Sequence, residues 1–141
     1  MTLSIANWER QPPNLFDIVS GFYPETKPIG ADKLRPCLVL RVMQSEDSAE
    51  YACKVAYGTT NTKIFERADI DLIICNASKM QSVGLPRATR FNLDKDCLVL
   101  LPWNSEFFGC WQGYPTPIIG RLDEDLIKDY GYCMMKRAIV S

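Results

Sequence analysis

The stretch Arg35-Pro36-Cys37-Leu38-Val39-Leu40-Arg41-Val42-Met43 decides the fold class. From Cys37 onward it is almost unbroken in apolar side chains, the pattern of a strand buried on both faces. Pro36 stands at its start, where a residue need not donate to the ladder. The segments around it read the same way. Phe16 to Tyr23 sets Phe16, Ile18 and Phe22 on one face and Asp17, Val19 and Gly21 on the other, the period of a half-buried strand, and Pro24 stops it. Glu25 to Leu34, broken by Pro28 and Gly30, is a loop. After a polar turn over Gln44–Glu50, Tyr51 to Tyr57 is a third strand, ending in the hydroxyl-rich loop Gly58-Thr59-Thr60-Asn61-Thr62. Asp69 to Cys75 is a fourth.

Further along, Asn76 to Val83 is a short helix closed by Gly84 and Pro86. Thr89 to Leu93 and Cys97 to Leu101 are two more strands, separated by Asp94-Lys95-Asp96. The aromatic segment from Pro102 to Gly113 is irregular. At the end, Asp123 offers an N-cap, and Glu124 and Asp125 suit the positive end of a helix dipole. Leu126, Tyr130, Cys133, Met134 and Ala138 follow at helical spacing, with Lys136 and Arg137 near the C-terminus. The stripe Leu126, Tyr130 and Met134 is expected to pack on the sheet. Many short strands with a terminal helix predict a mainly β (α+β) fold: a small antiparallel barrel with a short internal helix and a C-terminal helix. Residues 1–14, polar and containing Pro12-Pro13, read as a loosely ordered lead-in to a single domain over 15–141.

Composition narrows the function. A chain of 141 residues with 47% hydrophobic and 23% charged side chains has the mix of one globular domain. Its 16 Lys and Arg against 17 Asp and Glu exclude a general duplex-coating protein, so any contact with nucleic acid must come from a local patch. The N-terminus lacks a cationic start followed by an apolar run, and 37–40 and 97–101 are too short to cross a bilayer. The six cysteines stand singly, with no C-x-x-C pair and no histidine to complete a zinc site; buried, reduced thiols in a cytoplasmic protein are the expectation.

Four motifs in order, Asp17-Ile18-Val19, Arg35-Pro36-Cys37-Leu38-Val39-Leu40, Val55-Ala56-Tyr57-Gly58-Thr59 and Ile119-Gly120-Arg121-Leu122, resemble the PemK/MazF family of type II toxin–antitoxin toxins. The stretch Gly84-Leu85-Pro86-Arg87-Ala88-Thr89-Arg90-Phe91, with Leu101-Pro102-Trp103 after it, is similar to phage- and prophage-type members. The resemblance covers residues 15 to 138 and implies an SH3-like barrel that dimerises and cuts single-stranded RNA without a metal or other cofactor. It places the catalytic arginine on Arg35 and the strand-end hydroxyl on Thr59, with Thr60 as a one-residue alternative. It further implies a cognate antitoxin lying across the dimer groove, and operator DNA as a target of the toxin–antitoxin complex. One position departs from the pattern: members often carry an acid about five residues before the arginine, where this chain has Gly30, its nearest acids being Glu25 and Asp32.

The chemistry agrees with those residue types. In metal-free RNA cleavage the 2′-hydroxyl attacks the adjacent phosphorus and charge builds on the non-bridging oxygens. Without histidine, a guanidinium is the natural stabiliser, being always charged and able to grip two phosphate oxygens. Thr59 can donate to the phosphate, while the proton acceptor stays unassigned. Plainer readings stand beside these. Arg35 can pair with a surface carboxylate, and Thr59–Thr62 can satisfy their own backbone. Lys27 and Lys33 can be solvated charges and not an RNA-facing patch. Trp103, Phe107, Phe108 and Trp111 can stack on unpaired bases or fill a core or dimer contact. A gyrase-directed binding module and an inert binder of DNA or an acidic partner are the competing functions on the same barrel.

Overall fold

A computed structural model describes residues 7–22, 34–60 and 70–140. The strands are β1 (Asp17–Phe22), β2 (Leu34–Gln44), β3 (Tyr51–Thr59), β4 (Leu72–Ile74), β5 (Thr89–Phe91), β6 (Leu98–Pro102) and β7 (Ile118–Arg121). Two α-helices, α1 (Ala77–Val83) and α2 (Glu124–Val140), complete the fold. All ladders are antiparallel, in the order β4-β5-β3-β2-β1-β7, with β6 also on β3. The result is a mixed α+β fold: an antiparallel sheet curled into a half-barrel, with two helices.

The β2–β3 hairpin is the spine. Its register runs from Cys37↔Tyr57 to Gln44↔Tyr51 and slips between Val39 and Arg41, a bulge of the kind that sharpens twist and curls a sheet. Alternate residues of the central strands feed two separate cores. Ile18, Leu38 and Ala56 join Phe91, Leu126 and Cys133 on one side. Val19, Cys37, Val39, Cys53 and Val55 join Trp103 and Phe108 on the other. Cys37, Leu38 and Val39 have no exposure at all, as their unbroken apolar run predicts. The same arrangement corrects the expectation for β1: Asp17 to Gly21 are all buried, so this strand is covered on both faces and not one. Phe16 lies outside the strand, at φ 71°, with its amide donating to the Val39 carbonyl at 2.8 Å.

The short helix forms where its caps demand. The Asn76 side chain accepts from the amides of Ser78 and Lys79, and Gly84 closes the helix in the left-handed conformation. In α2, Asp123 accepts from the Leu126 amide at 2.9 Å, and the inward face runs Leu126, Tyr130, Cys133 and Arg137. Met134, expected on the packing stripe, is exposed, as is Ala138; the inward face lies one position round, on Cys133 and Arg137. The lead-in, where described, is anchored. Trp8 packs edge-on to Trp103 with ring centroids 5.0 Å apart, and Trp103 Nε1 donates to the carbonyls of Trp8 and Gln11.

β7, around Gly120, is a strand that the sequence reading did not place. The glycine is there for space: a Cβ on it would lie 1.7 Å from the Val83 carbonyl oxygen, at the end of α1. A backbone neighbour cannot rotate out of the way as a side chain can. Gly120→Ala is therefore expected to cost about 3 kcal/mol or more, read as a lower urea midpoint with an unchanged m-value.

Candidate anion-binding site

The site follows from how β3 shares one edge between two partners. β6 pairs with it along Ala52–Ala56, and β5 along Gly58–Thr59. Tyr57, between them, has its carbonyl taken by the Asn92 amide at 3.3 Å. Where β5 and β6 part, a pocket of about 430 Å³ opens. Its β2–β3 wall is Arg35, Tyr57, Gly58 and Thr59; its other wall is Arg90, Asn92, Asp96, Cys97 and Val99.

Local packing fixes these walls. A Cβ on Gly58 would sit 2.6 Å from the Thr89 side chain and 3.1 Å from Pro36, so only glycine lets β5 and the start of β2 close so tightly. The Tyr57 hydroxyl donates to the Phe22 carbonyl at 2.5 Å and holds its ring upright. Thr59 and Arg90 are directly paired across the ladder. Thr89 and Phe91 are buried, so Arg90 between them must project to the other face, beside Asn92. Behind Arg90, its Nε lies 3.8 Å from Oδ2 of the fully buried Asp71.

The arrangement is rich in donors. Two guanidinium groups, the Thr59 hydroxyl and the Asn92 amide line one concavity, a set suited to an oxyanion with several acceptor oxygens. Asp96 is exposed and is the one carboxylate that lines the pocket among the described residues, able to take a proton from a bound hydroxyl.

Of the residues singled out from the sequence, Arg35 and Thr59 share this pocket. Thr60 is exposed and does not line it. Thr59 also ends β3 and does not begin a loop. Lys27 and Lys33, with Glu25, Gly30 and Asp32, lie outside the described residues. Arg90, Asn92 and Asp96 were missed, although alternation in the strand Thr89 to Leu93 already sets Arg90 and Asn92 together, opposite Phe91. Trp103 and Phe108 are buried and belong to a core, while Phe107 and Trp111 are half-buried. The thiols divide evenly, which corrects the expectation of general burial: Cys37, Cys53 and Cys133 are buried, Cys75, Cys97 and Cys110 are exposed, and none is in a disulfide. Burial pushes Cys53 up to about 12 and Cys37 higher still, so neither is a nucleophile.

No family model and no curated protein matches this chain. That corrects the labels carried by the resemblance alone: PemK, MazF, toxin–antitoxin, growth inhibitor, and RNA- or DNA-binding surface. Trp103 and Phe108, two of the four aromatics offered for base stacking, are enclosed. Nor do three or more His, Cys, Asp or Glu side chains gather among the described residues as a metal-ligand set. No helix among them is long and apolar enough to cross a membrane. What remains is the chemistry of the pocket.

Titration with inorganic phosphate is expected to shift the backbone amide resonances of Gly58 and Thr59. Arg35→Ala or Arg90→Ala should each weaken that binding by about 1.5–3 kcal/mol, as for other hydrogen bonds to charged groups. Equal affinity in all three proteins would exclude the pocket as the anion site.

Proposed function

We propose that this pocket cleaves a ribonucleotide phosphodiester, as found in single-stranded RNA, by metal-independent transesterification. The observation that carries the reading is the convergence of Arg35, Thr59 and Arg90 on one concavity that the carboxylate of Asp96 also lines. Guanidinium and hydroxyl donors stabilise a phosphorane, and an unactivated threonine hydroxyl is only a weak nucleophile. A substrate that brings its own nucleophile, the 2′-hydroxyl next to the scissile phosphate, is the one such a site can turn over. In this reading the 2′-oxygen attacks phosphorus as Asp96 takes its proton. Arg35 and Arg90 grip the non-bridging oxygens, Thr59 donates to one of them, and the 5′-oxygen leaves, taking a proton from water while Asp96 returns its own to solvent. The products are a 2′,3′-cyclic phosphate and a 5′-hydroxyl.

Supporting context comes from the frame and the thiols. A half-barrel with its mouth between β5 and β6 fits an SH3-like barrel open at one side, the form in which a flexible strand can enter. Six cysteines with no disulfide among them suit the reducing cytoplasm.

The test is incubation with an end-labelled single-stranded RNA in EDTA. The parent protein should give 2′,3′-cyclic ends. Arg35→Ala should lower the rate about 10²–10³-fold, the usual loss for one oxyanion donor, and Asp96→Asn about 10²–10⁴-fold, the usual range for a proton acceptor. RNA left intact by folded parent protein would overturn the reading.

A further inference from the structure

Behind the pocket lies a row of charges that lines none of it. Asp71 precedes β4 and is fully buried. Its Oδ1 is bonded by Nη2 of Arg137, from the last turns of α2, and accepts from the Leu93 amide at 3.2 Å. Its Oδ2 faces Arg90 Nε. Arg137 is itself held on three sides: Nε donates to the Ile70 carbonyl at 2.6 Å, and Nη1 to the carboxylate of Asp94. Cys133, one turn back on α2, has its thiol 3.4 Å from the Asp71 carbonyl.

The order is thus helix cation, buried carboxylate, pocket cation. A carboxylate removed from water between two guanidinium groups is tolerable only with both in place; withdrawing one leaves it to draw on the other. Arg137 also fixes the direction in which Asp71 points, because its planar fork meets two acids at set angles.

We infer that Asp71 and Arg137 are positioning residues for the pocket. Arg137 fixes Asp71, and Asp71 holds Arg90 by its Nε edge, leaving the Nη groups for the anion. The end of α2 therefore sets how firmly the pocket takes phosphate, although no residue of that helix lines it. This rests on reading the pocket as an anion site.

The experiment uses the full chain labelled with nitrogen-15. The Arg90 Nε–Hε resonance is identified by its loss in Arg90→Lys. In Arg137→Gln that resonance is expected to shift and broaden, with affinity for inorganic phosphate falling between about two- and thirty-fold and the β1–β3 amide spectrum unchanged. Arg137→Lys, which keeps a charge on Asp71 but gives up the fork, should recover part of both effects, and Asp71→Asn should reproduce the loss. If Arg137→Gln does not fold, Arg137→Lys carries the same comparison with a smaller change. An unaltered Arg90 resonance and phosphate affinity in a folded variant overturns the inference. Parent protein that binds no phosphate overturns the anion-site reading instead, while the Arg90 resonance still reports on the positioning.

Discussion

Everything at the site depends on the divided edge of β3. A strand edge offers its hydrogen-bonding groups to one neighbour at a time, and here β6 takes the first half and β5 the second. The handover falls at Tyr57 and Gly58. Two strands that share an edge end to end must separate beyond it, and the gap between them is the pocket. Glycine at position 58 makes the handover possible, since a Cβ there would press on Thr89 of β5 and Pro36 of β2 and force them away from β3. The pocket is therefore a product of backbone pairing, and its side chains are the residues that pairing happens to present.

The double-sided burial of β1 to β3 gives this gap rigid walls. With one core beneath the sheet and another above it, Arg35 and Thr59 sit at the ends of strands whose neighbours have no freedom to shift. Trp103 ties the second core to the N-terminal segment through two hydrogen bonds from its ring nitrogen. Donors on such a frame need little reorganisation to meet developing charge, which is what makes electrostatic stabilisation effective.

Much of the frame was legible in the sequence because local signals and tertiary structure agreed. The apolar run after Pro36, the Asn76 and Gly84 caps and the Asp123 helix start all appear where pattern and capping place them. The exceptions share a cause. β7 was not placed, and the role of its Gly120 is to let α1 approach, a demand set by a partner distant in sequence. Arg137 reads as a charge complementing the helix dipole, yet it turns inward because Asp71, far away in the chain, is buried beneath it. Half of the pocket was named from the sequence, but only through the resemblance, which picked out Arg35 and Thr59; Arg90 and Asp96 acquire meaning only once β5 and β6 are seen to diverge.

The position of Asp71 has one more consequence. Dissolved salt screens charges in reach of water and barely touches those sealed from it. The mouth of the pocket, with Asp96 exposed, lies on the screened side, while the contact between Asp71 and Arg137 lies on the sealed side. Rising ionic strength thus loosens what the pocket holds without loosening the pocket. On the reading proposed above, a saline medium releases the bound anion while Arg90 keeps its sealed partner Asp71.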